Sequence, residues 1–329
     1  MTTATVIGAT TWGNTIARVL ANKGIDVKVW TRTSERTQEL LKEQRKLPAD
    51  AAHTSNLHFT SSEQEALASS AFFIIAMPAQ RLRQTVVQIK DHVRPDMIAV
   101  SLAKGLEADS GKRMSQIIAE ESAVPVENIC VLSGPNLSQE INRGLPATAL
   151  LAGISSATVV KGVELFNASN FTVFPSDDII GVELCGALKN VIALGAGMVD
   201  GLGLGNNAKA TFITMGWEEI TVLGTALGAR PATFYGLAGL GDLITTSAGS
   251  MSRNHYVGRE VASGRSLAEV KSSMSNIAEG IDTTIATQRL ARQMGMDSPI
   301  IQLIYQVLFE SLPPLEIASR FEEGLKTYH

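Results

Sequence analysis

Along the first half of the chain, short apolar runs alternate with segments whose apolar residues recur every three or four positions, and beyond Asp178 the short runs stop. The run Thr5-Val6-Ile7 passes through Gly8-Ala9-Thr10-Thr11-Trp12-Gly13 into helical spacing over 14–23, with Ile16, Val19 and Leu20 on one face and Gly24 as the stop. Residues 26–30 read as a second strand, so strand, helix and strand fill one βαβ unit of about 30 residues. A polar helix over 34–46, a loop around Pro48 and a short strand at 57–59 follow. Residues 71–76 are continuously apolar, as in a parallel strand covered on both faces. Further strands are predicted at 97–102, 129–133, 146–152 and 171–174, with a short helix ending at Arg143 and another over 155–168. From 179 onward the pattern is helical. Residues 179–200 are apolar on nearly every face, and helices follow over 208–227, through Val257 and Val261, over 276–294, and from Pro299 until Pro313-Pro314, before an amphipathic tail. The pattern predicts an α/β chain: a Rossmann-like doubly wound sheet over 1–178, then an all-α domain over 179–329.

A length of 329 residues suits two domains, and 45% hydrophobic with 18% charged residues describes a globular chain. The net charge of −4 argues against a general nucleic-acid binder, while leaving room for a local basic pocket around a small phosphate. Cys130 and Cys185 form no C-x-x-C pair, and His53, His58, His92, His255 and His329 lack metal-ligand spacing. No metal site is expected, and a reduced, cytoplasmic compartment fits. Met1-Thr2-Thr3 runs straight into a strand, without the pattern of a signal peptide. Glu183, Lys189 and Asn190 interrupt 179–199, which therefore reads as a buried helix and not a membrane span.

Several positions carry candidate chemistry. Gly8 and Gly13 occupy the first and third glycines of G-x-G-x-x-G, the loop that presents backbone N–H groups to a pyrophosphate, but the second is Thr10, whose side chain is expected to crowd that ligand. An ordinary strand–turn–helix is the alternative. After the second strand comes Arg32 instead of an acidic residue, which favours NADP(H) over NAD(H), or is simply a surface arginine. Lys104, following the strand at 97–102, is placed to meet an anion or to lie in a surface turn. Gly134 offers a backbone amide and Asn136 a side-chain amide. Lys189, inside the most apolar helix, is either a tuned acid/base or half of a salt bridge, for instance to Asp242. Ser252, Arg253 and Asn254 open a helix as a phosphate cradle or as a plain cap, and Glu279 complements a helix dipole.

Together these segments resemble the bacterial NAD(P)+-dependent glycerol-3-phosphate dehydrogenases. The resemblance is carried by Thr11-Trp12-Gly13, Lys104-Gly105-Leu106-Glu107, Ser133-Gly134-Pro135, Ala187-Leu188-Lys189-Asn190-Val191, Ala196-Gly197-Met198, Ala238-Gly239-Leu240-Gly241-Asp242-Leu243 and Ser252-Arg253-Asn254. It implies interconversion of dihydroxyacetone phosphate and sn-glycerol 3-phosphate, a step toward phospholipids, with Lys189 as acid/base and Asp242 orienting it. It further implies substrate contacts from Lys104, Gly134, Asn136, Ser252, Arg253 and Asn254. Cofactor contacts would come from Gly8, Thr11, Trp12, Gly13, Arg32, Lys104, Ser138, Arg253, Ile277 and Glu279, and a homodimer is expected. Thr10 and Asn136 depart from the family, which has Gly and Ser or Thr there. Those departures motivate one alternative, a paralogue that binds without turnover; a related dehydrogenase of the same architecture acting on another 2-keto or β-hydroxy compound is a further one.

Overall fold

The structure, a computed structural model, describes residues 2–45, 54–247, 252–274, 277–313 and 316–320. The loop around Pro48, Met251, Asn276, Pro314 and most of the expected tail lie outside the described residues. Contacts divide the chain into two compact units: Met1–Ala103 with Met114–Ile179, and Lys104–Arg113 with Ile180–His329.

The first unit is built on one eight-stranded sheet. Its strands are β1 (Thr3–Ile7), β2 (Asp26–Trp30), β3 (Leu57–Thr60), β4 (Phe72–Ile75), β5 (Ile98–Ser101), β6 (Ile129–Ser133), β7 (Ala147–Gly153) and β8 (Phe171–Ser176). They lie in the order β3-β2-β1-β4-β5-β6-β7-β8. The first six run parallel, β7 is antiparallel to β6, and β8 is parallel to β7. The order reverses between β1 and β4, whose registers pair Ile7 with Ile75. That is the switch point at which open α/β sheets bind ligands. β4 is apolar at every position because both faces are covered. Phe72 and Ile74 enter the cluster of Ile16, Leu20 and Phe171, whereas Phe73 and Ile75 enter that of Leu82, Val86 and Ile117.

The helix Thr11–Asn22 begins ahead of the expected residue 14 because Thr10 caps it. In the second unit, Ile179–Gly201 is one buried helix. It is long and apolar enough to cross a membrane, yet 83% of its apolar window is buried inside the protein. The Arg253–Ala262 helix crosses it with backbones nearly touching: a Cβ on Gly197 would lie 2.1 Å from the His255 carbonyl oxygen, and one on Gly258 1.9 Å from that of Leu194. The loop expected at 201–207 shortens to Leu202, Gly203 and Leu204, since the next helix spans Gly205–Ala226. Glu219 on that helix accepts from the amides of Ile300 (2.7 Å) and Ile301 (3.0 Å), closing the start of the helix Pro299–Phe309. Lys104–Arg113 precedes the expected boundary at 178 but packs in the second unit. There Arg113 pairs with Glu183 at 2.6 Å, and Arg289 donates to the Asp109 carbonyl at 2.5 Å.

Candidate active site

In the first unit the turn after β1 is drawn tight against the end of β4. Gly8 has φ +109°, and a Cβ there would lie 2.8 Å from the Ala76 carbonyl oxygen. A Cβ on Gly13 would lie 2.1 Å from the Gly8 carbonyl oxygen. Thr10 does not present its hydroxyl to a ligand. The Oγ1 donates to the Ala76 carbonyl (2.8 Å) and accepts from the Gly13 amide (3.0 Å), as a helix N-cap does. The amides of Thr11 and Trp12 have no backbone acceptor among the described residues, and they sit at a helix N-terminus. Glycines that nothing larger can replace, together with two unused amides, fit a dinucleotide pyrophosphate. The Trp12 ring stacks edge-on against Phe171 (centroids 6.3 Å apart), so this residue offers its backbone to the turn and its ring to the core. Arg32 is exposed beyond β2, with Nη2 3.4 Å from Thr85 Oγ1.

After β6, Gly134 has φ +153°, and a Cβ there would lie 2.9 Å from both Ala149 Cα and the Thr148 carbonyl oxygen. Asn136 Nδ2 donates to that same carbonyl at 2.8 Å. Its Oδ1 and the Ser133 hydroxyl are buried without partners among the described residues, polar atoms available to a ligand. Ser138 opens the short helix Ser138–Asn142 and is half-buried.

In the second unit three charged side chains converge. Lys189 donates to Asp242 Oδ1 and, at 2.5 Å, to Thr246 Oγ1. Lys104 donates to Asp242 Oδ2 at 2.6 Å. One carboxylate, only 2% exposed, therefore bridges two ammonium groups. Burial lowers the Lys189 pKa to about 8; Asp242 opposes that shift, while the positive charges of Lys104 and Arg253 add to it. Asp242 begins the helix Asp242–Ser247 directly after a π-helical turn, Leu237–Gly241. The turn is compact because a Cβ on Gly239 would lie 2.1 Å from the Phe234 carbonyl oxygen.

Two residues given no role in the sequence reading belong to this cluster. Thr246 follows Asp242 by one helical turn, a spacing that could have flagged it. Asn190 donates to the Lys104 carbonyl (3.0 Å) and accepts from Asn254 Nδ2 (2.8 Å), and Asn254 Oδ1 in turn accepts from the Gly280 amide (2.9 Å). The side chain of Asn254 thus ties the Arg253–Ala262 helix to the helix Glu279–Gln293. Ser252 accepts from the His255 amide at 3.2 Å and caps its helix. Arg253 is exposed at the first helical position, and the amides of Arg253 and Asn254 have no backbone acceptor among the described residues. Glu279 opens its helix half-buried, and Ile277 is exposed.

Family models match both parts of the chain: NAD-dependent glycerol-3-phosphate dehydrogenase N-terminus over residues 3–159 and C-terminus over residues 178–319. The glycerol-3-phosphate dehydrogenase [NAD(P)+] of Dehalococcoides mccartyi is 47% identical over 325 residues, covering 97% of this chain and 90% of the relative. That of Chlorobium phaeobacteroides is 40% identical, covering 94% of each. Among solved structures, glycerol-3-phosphate dehydrogenase from Coxiella burnetii superposes with TM-score 0.90 at 29% identity over 98% of both chains. The yeast enzyme, from Saccharomyces cerevisiae, gives 0.82 at 29% identity over 98% of this chain and 99% of its own.

Proposed function

Because the chain belongs to the NAD-dependent glycerol-3-phosphate dehydrogenase family, we propose that it interconverts dihydroxyacetone phosphate and sn-glycerol 3-phosphate with NAD(P)H, Lys189 serving as the acid/base. The observation that carries the residue assignment is the buried bridge Lys189–Asp242–Lys104. The dihydronicotinamide supplies the hydride. Lys189 gives its proton to the ketone oxygen as negative charge develops there, and the neutral amine recovers a proton from the hydroxyl in the reverse direction. A pKa of about 8 suits both tasks, because the group is mostly protonated at neutral pH and releases its proton readily. Asp242 fixes the Lys189 ammonium through Oδ1 and holds Lys104 through Oδ2, adding a second positive charge to the field around the developing alkoxide.

Arg253, the Ser252 cap and the two unused amides of that helix are assigned to the substrate phosphate, with the Asn254 side chain holding the helix in place. Gly134 and Asn136 are assigned to the substrate, supported by the unpartnered Asn136 Oδ1. Gly8, Thr11, Trp12, Gly13, Lys104, Ser138, Arg253, Ile277 and Glu279 are assigned to the cofactor, and Arg32 to a 2′-phosphate, which favours NADPH. Residues 1–178 then form the dinucleotide domain and 179–329 the helical substrate domain, apart from 104–113, which packs with the latter. The free, buried cysteines 130 and 185 are consistent with work in the cytoplasm, and the enzyme is expected to be a homodimer.

Retention of Lys189, Asp242, Lys104 and Arg253 speaks against a binding-only paralogue. A steady-state assay with dihydroxyacetone phosphate, run in parallel with NADH and NADPH, tests the reading. Turnover with the triose phosphate is expected, and its absence at saturating substrate with either cofactor overturns the assignment.

A further inference from the structure

Thr10 stands where the family places a glycine, and its surroundings give the exchange a purpose. A glycine at that position has no side chain to cap the helix it precedes. Thr10 supplies the cap, and the same hydroxyl reaches across to the strand on the other side of the switch point. Its single hydrogen goes to the Ala76 carbonyl and one of its two lone pairs receives the Gly13 amide, so its donor is committed within the turn. Ala76 is the common anchor. Its amide donates to the Ile7 carbonyl at 2.9 Å, and its carbonyl both accepts from Thr10 and sets the 2.8 Å limit that keeps residue 8 a glycine. Gly13, the third glycine, is held by the Thr10 hydroxyl through its amide and by contact with the Gly8 carbonyl through its missing side chain. The amides of Thr11 and Trp12, one and two positions beyond the cap, take their direction from this knot.

We propose that Thr10 is a positioning residue for the dinucleotide: by tying the helix start to Ala76 it pre-orients the Thr11 and Trp12 amides for the pyrophosphate, a rigidity that the glycine of the usual pattern does not supply. This rests on the dinucleotide reading of the turn. The gain comes from preorganisation, since a loop already held in its binding shape loses less freedom on binding. It reverses the expectation that removing the side chain should tighten binding.

The test is equilibrium binding of NADH and NADPH to the full chain without substrate, read by quenching of tryptophan fluorescence, for the wild type and for Thr10→Ser, Thr10→Val and Thr10→Gly. Losing a cap-strength interaction corresponds to roughly 3- to 30-fold in an equilibrium constant. Thr10→Val and Thr10→Gly are therefore expected to raise the dinucleotide Kd about tenfold. Thr10→Ser, which keeps the hydroxyl, should stay within about twofold of the wild type. The KM for dihydroxyacetone phosphate at saturating dinucleotide should be unchanged in all three. Equal or tighter binding by Thr10→Gly overturns the proposal, as does a fall in melting temperature for Val and Gly with Kd unmoved, which would leave a purely structural cap. If Thr10→Val does not fold, Thr10→Ala removes the same hydroxyl and is read identically. A wild type that binds neither dinucleotide refutes the reading of the turn itself, an outcome distinct from variants that bind as the wild type does.

Discussion

The turn around Gly8 and the cluster around Lys189 are built on opposite principles. The turn occupies a few consecutive residues and works through backbone: tight glycines, a capped helix start and amides left without acceptors. The cluster works through side-chain ends brought from far apart, Asp242 lying 138 positions from Lys104 and 53 from Lys189. A backbone-built site tolerates a new side chain as long as the path of the chain survives, which is how Thr10 fits. A side-chain-built site depends on the identity of each group, because the buried Asp242 carboxylate balances two ammonium groups.

The contrast is sharpest at Lys189. Lys189→Met keeps much of the volume and leaves Asp242 paired with Lys104, so the fold should persist while turnover of dihydroxyacetone phosphate falls by about 10³-fold, within the range of acid–base catalysis. Circular dichroism melts and single-turnover kinetics check the two halves of that statement, and near-normal turnover would remove Lys189 from its role. Asp242→Asn should cost about 10²-fold in kcat and also shift the pH profile. With Lys189 as the proposed acid, ketone reduction by the wild type should decline as pH rises through about 8, and alcohol oxidation should gain over the same interval. Asp242 raises the pKa of that amine, so its loss should move the decline to lower pH.

At the turn, Gly13→Ala forces a Cβ against the Gly8 carbonyl oxygen, backbone that cannot swing aside. A loss of about 1–3 kcal/mol in chemical denaturation is expected, with weakened dinucleotide binding but a kcat at saturation closer to wild type than in either cluster variant. If Gly13→Ala abolished kcat as completely as Lys189→Met, the division between the two regions would fail. The smallest effect belongs to Arg32→Ala. Arg32 is exposed, so the ratio of kcat/KM for NADPH over NADH should drop only about fivefold, as parallel assays would record.

How much of this was legible in the sequence follows from the same contrast. The βαβ start, the buried β4 run and the long interior helix were readable because local periodicity encodes burial. Lys189, Asp242 and Arg253 could be named from their motifs. The helix start at Thr11 was missed because the spacing of apolar residues does not register a cap. Asn190 and Thr246 were missed because their roles exist only once Lys104 and Asp242 are brought beside Lys189. The antiparallel turn of β7 against β6 likewise left no mark in a pattern of alternating strands and helices.

By itself the sequence determined the elements, the division into a sheet-forming and a helical part, and the candidate groups proposed to move a proton or hold a phosphate. Tertiary structure decided that Lys104–Arg113 packs with the helical unit, that one carboxylate serves two ammonium groups, and that the Thr10 hydroxyl turns inward. Local periodicity records only whether a residue is covered. Which atoms do the covering, and hence which charges are shifted and which amides are left for a ligand, depends on segments that meet only when the chain has folded.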